Sequence, residues 1–157
     1  MDFYNFILTQ QYSPACILYL DLPLNFTSNG RSTKRKFLVF ADDKEPPLFF
    51  VINSKSRHFG RVHQLELHKH DYDFLTNEIS YLDYEQEYQA FDIDVSKMPT
   101  KADIIELLKN DRNTYKGHLT QKDAEALLFA LENEELAISD ENLERFIHGL
   151  KNFLAIL

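Results

Sequence analysis

The chain has 157 residues, a formal net charge of −8, 44% hydrophobic residues and 13 phenylalanines. That composition can bury one core and excludes a globally disordered chain. A single cysteine, Cys16, excludes an internal disulfide and points to a reducing, cytoplasmic setting. Four widely spaced glycines carry neither a phosphate-binding loop nor a dinucleotide fingerprint, so no cofactor is expected.

The opening "MDFYNFILTQ" has no basic segment followed by a long apolar one, so no signal peptide is expected. No apolar run approaches the length of about 20 residues that spans a bilayer, so no membrane partner is expected. "ACILYLDLPL" (15–24) reads as a strand ending at Pro23, with Cys16 buried and inert inside it. "NFTSNGRST" (25–33) has the composition of a loop. "KFLVFA" (36–41) and "LFFVIN" (48–53) are short aromatic and β-branched runs separated by "DDKEPP", which must turn. They predict a hairpin with both faces largely buried.

"RVHQLELHKH" (61–70) predicts a strand with Leu65 and Leu67 on one face and Glu66, His68 and His70 on the other. "EISYLDY" (78–84) and "YQAFDIDV" (88–95) alternate in the same way. After Pro99 the period becomes helical. Thr100 with Asp103, Thr120 with Asp123, and Ser139 near Glu141 mark three helix starts. In the third helix Leu143, Phe146, Ile147, Leu150, Phe153, Leu154 and Leu157 form one stripe, so its end must dock on something. The pattern predicts an α+β fold. A small antiparallel, SH3-like β-barrel occupies 1–97, and a C-terminal helical portion, 98–157, packs on it.

Charge is unevenly distributed. Residues 31–70 hold 9 basic and 4 acidic residues, a net of +5 within an acidic chain. Arg31, Lys34, Arg35 and Lys36 precede one strand of the hairpin; Lys55, Arg57, His58 and Arg61 follow the other. Antiparallel pairing sets the start of one strand beside the end of the other, so Arg35, Asn53, Ser54, Lys55 and Arg57 share a rim. Arginine's planar fork suits phosphate, which makes the rim a candidate phosphodiester site. The plain alternative is a solvated loop pair that keeps sheet edges soluble.

"HQLELHKHDYD" gathers His63, His68, His70, Asp71 and Asp73, either as a surface strand or as a metal or acid–base group. No ligand set of recognisable spacing completes it, so no metal is assigned. The acidic "DYDFLTNEISYLDYEQEY" reads as a solvated face, or as an edge that binds a protein partner.

Arg35 leading "RKFLVFA" and the strand end "VINS" (51–54) resemble the MazF/PemK-like toxin family of small barrels, over about residues 15–95. The resemblance implies a dimeric, metal-independent endoribonuclease of a toxin–antitoxin pair. It implies catalysis by Arg35 and by the position of Asn53, where the family has Thr and where Ser54 is the adjacent hydroxyl. On that reading Arg35, Ser54 and His58 are the catalytic candidates, with His68 and His70 behind them as acid–base groups. Arg31, Lys34, Lys36, Asn53, Lys55, Arg57 and Arg61 would hold RNA. RNA, an antitoxin-like protein and a second copy of the chain are the candidate partners. The alternative is a non-enzymatic interaction module, antitoxin-like or phage-associated.

Overall fold

The computed structural model describes residues 2–28, 31–54, 63–85 and 95–157. The fold is α+β: a curled, six-stranded antiparallel half-barrel sheet with helices following it, compatible with an SH3-like barrel and a helical portion. The strands are β1 (Cys16–Ser28), β2 (Arg31–Phe40), β3 (Phe49–Asn53), β4 (Gln64–His68), β5 (Ile79–Asp83) and β6 (Tyr115–His118). Their order across the sheet is β4-β5-β3-β2-β1-β6. The helices are α1 (Phe3–Phe6), continued by a π-helical turn over Ile7–Gln11, then α2 (Lys101–Asn110), α3 (Gln121–Asn133) and α4 (Asp140–Ala155). No helix among the described residues is long and apolar enough to cross a membrane.

Strand alternation feeds two cores. Ile17, Val39, Phe50, Ile52, Leu67 and Leu82 point to one face, where Leu127 and Leu131 of α3 and Phe146, Leu150 and Phe153 of α4 cover them. Leu18, Leu20, Leu38, Phe40, Phe49 and Val51 point to the other, under Ile7, Tyr12 and α2 residues Ile104 and Leu108. Each such side chain contributes roughly 1.5–3 kcal/mol by leaving water. All of β3 is buried, as expected for a strand covered on both faces. Cys16 is wholly buried, and desolvation pushes its thiol up to about 12, which leaves it unreactive.

Each long helix starts where its cap dictates. Thr100 Oγ1 accepts from the Asp103 N–H at 3.2 Å while Asp103 Oδ2 accepts from the Thr100 N–H at 2.9 Å. Thr120 and Ser139 likewise accept from Asp123 and Asn142. In α4, Phe146 stacks on Phe50 with ring centroids 3.9 Å apart. Gly149 permits this seat, since a Cβ there would meet the Ala41 carbonyl oxygen at 2.0 Å. The α4 stripe docks on its own sheet through Phe153, and Ile156 and Leu157 remain exposed.

Two expectations change, and a third is not reached. β1 does not stop at Pro23 but runs to Ser28, and β2 begins at Arg31, so most of the expected 25–33 loop is a β-ribbon. Its register shifts between Pro23 and Ser28, an irregularity that accommodates a residue lacking an N–H. β4 ends at His68, and His70 belongs to a 3₁₀ turn. The strand expected over 88–95 falls mostly outside the described residues.

Candidate functional site

The β2–β3 register pairs Phe37 with Ile52 and Phe40 with Phe49, as the hairpin requires. Continued outward, it sets Lys36 opposite Asn53, and Lys36 Nζ donates to Asn53 Oδ1 at 3.1 Å. Arg35 and Ser54 come next, at the same end of the sheet. Asn53 is buried and its Nδ2 has no hydrogen-bond partner among the described residues, while Ser54 is exposed and its carbonyl accepts from Asn77 Nδ2.

The rim residues do not share one face. Successive residues on a strand point to opposite sides. Arg35 therefore lies on the α3/α4 side with Phe37 and Val39, and Lys34, Lys36 and Asn53 lie on the α2 side. The two positions that the family resemblance pairs, Arg35 and Asn53, point apart. Arg31 joins the ribbon opposite Ser28. Lys55, Arg57, His58 and Arg61 lie outside the described residues.

Arg35 has a defined setting. Its Nε lies 3.5 Å from Asp21 Oδ1 and its Nη2 3.9 Å from Asp111 Oδ2, with the guanidinium carbon 4.7 Å above the Tyr19 ring. Its side chain is 44% exposed, so these ion pairs are screened and each is worth at most about 1 kcal/mol. An incoming phosphate can replace them at small cost.

The aromatic surroundings extend this setting. Tyr19 stacks on Phe37 at 4.4 Å, and Phe37 meets Phe74 at 4.7 Å. All three rings are half-buried, and Lys116 Nζ stands 5.7 Å from the Tyr19 centroid. Cations and half-exposed rings thus form one row at the open end of the sheet. Such a row can offer a base the outer side of the Arg35 guanidinium plane, backed by the Tyr19–Phe37–Phe74 stack, while its cations hold phosphates.

Sequence reasoning reached Arg35 but not Tyr19, Phe37, Phe74 or Lys116 as its companions. Tyr19 with Asp21 and Arg35 with Phe37 are each two apart, so their shared faces were readable. The positions of Phe74, in a turn, and Lys116, on β6, follow only from tertiary structure.

The histidine group disperses. His63 Nδ1 lies 2.8 Å from Glu134 Oε1, and Tyr84 donates to the same carboxylate, which ties the sheet to α3. The His68 and His70 rings stand 5.6 Å apart, and His70 Nε2 is 3.4 Å from Asp71. Among the described residues no three His, Cys, Asp or Glu side chains converge on a metal-sized site. No family model, curated protein or solved structure matches the chain.

Proposed function

We propose that the protein binds single-stranded RNA along the row formed by Arg35, Tyr19, Phe37 and Phe74. The observation that carries this reading is the Arg35 guanidinium over Tyr19 at 4.7 Å, continuous with the Tyr19–Phe37–Phe74 stack. Lys116, beside the same ring, supplies a further phosphate partner. A reducing, cytoplasmic setting belongs to the same proposal and rests on the lone, buried Cys16.

Endoribonuclease activity of the MazF/PemK-like kind is the stronger form of the proposal. Because Asn53 faces away from Arg35, cleavage would fall to Arg35 stabilising the phosphorane charge, with Ser54 or His58 moving the 2′-OH proton. The test titrates a mixed single-stranded RNA pool at rising salt, with and without a chelator. Binding should weaken linearly in log–log form, and Arg35→Ala with Lys116→Ala should make the slope shallower by about 0.7 per lost contact. Cleavage that survives the chelator and vanishes in Arg35→Ala supports the toxin form. Bound but intact RNA removes it and leaves the binding form, and no binding at low salt removes both.

A protein-binding module, antitoxin-like or phage-associated, is the second reading. It is favoured by Phe129, Ile156 and Leu157, which are 70%, 80% and 63% exposed. The proposed homodimer draws on the same apolar helix end. Light scattering at micromolar concentration should give the mass of two chains, and the mass of one chain excludes the dimer.

A further inference from the structure

Ser13, His118 and Tyr115 form a hydrogen-bonded chain that RNA binding does not use. Ser13 Oγ lies 2.7 Å from His118 Nε2, and Tyr115 Oη lies 2.8 Å from His118 Nδ1. Ser13 sits in the turn before β1, and pairing of Cys16 with His118 across β1 and β6 brings that turn to the imidazole. Phe153 of α4 stacks on the imidazole at 5.4 Å and 8°, which fixes its plane. Burial lowers the His118 pKa to about 4, so the ring is neutral at pH 7. A neutral imidazole has one donor and one acceptor nitrogen. With Nδ1–H donated to Tyr115, Nε2 accepts the Ser13 hydroxyl proton.

Ser13 also lines a cavity of about 300 Å³, together with Phe153 and Ile156 on its apolar side and Lys44 and Asn152 on its polar side. Asp42 and Asp43 line it too, but both are paired. Asp42 binds Arg145 at 2.6 Å, and Asp43 lies 3.6 Å from Lys101 Nζ. A neutral electrophile therefore meets carboxylates that are already paired, with the Lys44 ammonium beside them. Two residues after Ser13, Ala15 holds φ +67°, a region costly for a residue with a Cβ. A serine on the cavity wall, an imidazole nitrogen in contact with its hydroxyl and a group orienting that base are the parts of an activated nucleophile.

We propose that Ser13 is the nucleophile of an acyl-transfer site for small uncharged esters, with His118 as general base and Tyr115 as positioning residue. Ser13 Oγ bonds to the acyl carbon as its proton passes to His118 Nε2. The ester C–O bond then breaks, and the leaving alkoxide takes that proton and departs as the alcohol. Water attacks the acyl-serine by the same route, its proton passing through His118 to Ser13 Oγ, and the carboxylic acid leaves. Lys44 is the cation on the wall suited to the developing oxyanion, and Asn152, whose Nδ2 lies 3.1 Å from His148 Nε2, has a second N–H on the same amide.

The experiment treats the full chain with an alkyl fluorophosphonate, maps the adduct by mass spectrometry, and follows turnover of p-nitrophenyl acetate. One adduct on Ser13 is expected, absent in Ser13→Ala, with labelling slowed about 100-fold in His118→Gln. Tyr115→Phe should lower kcat for the ester while leaving KM unchanged. Should Ser13→Ala not fold, Ser13→Cys carries the test: rapid alkylation by iodoacetamide at position 13 supports the site, and none overturns it. No adduct on the native chain, or one that persists in Ser13→Ala, also overturns it. RNA binding is scored separately on the native chain, so either proposal can fail alone.

Discussion

The N-terminal and C-terminal halves of β2 are held by different physics. At Phe40, its last residue, and at Ala41 just beyond, the chain is buried, Phe40 packs against Phe49 and Tyr12, and α4 rests on the Ala41 carbonyl through Gly149. At Lys34 and Arg35 the side chains are exposed, and Arg35 is held by two long ion pairs and a ring. Close packing fixes one position for every atom, whereas screened surface pairs exchange partners at little cost. One end of a single strand can therefore set stability while the other remains available for a ligand.

The sealed end should show the largest response. Phe146 is 2% exposed and stacked on Phe50, so Phe146→Ala should cost about 3–5 kcal/mol in urea unfolding. A cost below about 1 kcal/mol would mean that α4 does not seal the sheet.

His118, stacked under Phe153, extends the contrast to pH. Its folded pKa of about 4 lies below the ordinary 6.5 because of burial, so the unfolded chain takes up the proton first. The stability tied to the neutral ring is whole above pH 6.5, falls as pH drops toward 4, and levels off below. The loss is on the order of 3 kcal/mol at most. It should appear as the difference between the native chain and His118→Gln in stability measured from pH 7 to pH 4. Parallel curves would remove the buried, neutral imidazole.

Gly149→Ala should cost about 2–3 kcal/mol, since the added methyl must push α4 off the Ala41 carbonyl. The expected readout is a lower denaturation midpoint with RNA affinity unchanged in the folded fraction. An unchanged midpoint would mean that the helix sits farther from β2.

Much of the sealed end was legible in the sequence because its signals are local. Thr100, Thr120 and Ser139 announce their helices by capping chemistry, and the α4 stripe identifies its buried face before any partner is known. The continuous apolar runs "KFLVFA" and "LFFVIN", parted by "DDKEPP", likewise yield the hairpin. β6 escapes this reading, since four half-buried residues show no alternation, and its Gly117, at φ +105°, resembles loop punctuation. The N-terminal π-helical turn has no side-chain cap to announce it. The open end was legible only in part. Sequence placed Arg35 and Ser54 at one end of the sheet, but not the carboxylate of Asp111 or the ring of Phe74. Those neighbours come from segments 76 and 39 residues away from Arg35. The Ser13–His118 contact spans 105 residues and leaves no local trace.

The smallest expected effect on stability belongs to Arg35 and bears most directly on the open end. Arg35→Ala removes two exposed ion pairs and one cation–π contact, so stability should change by less than about 1 kcal/mol. RNA affinity should nevertheless fall, because the side chain combines a phosphate charge with a stacking plane. Arg35→Lys separates those contributions. It keeps the charge, and so the salt slope, but loses the planar fork over Tyr19. Affinity that stays low in Arg35→Lys with the native salt slope assigns the loss to stacking, and full recovery assigns it to charge alone. A stability loss in Arg35→Ala as large as that of Phe146→Ala would show both ends of β2 to be equally fixed. In that case the ion pairs with Asp21 and Asp111 hold the fold, and an RNA phosphate could not displace them cheaply.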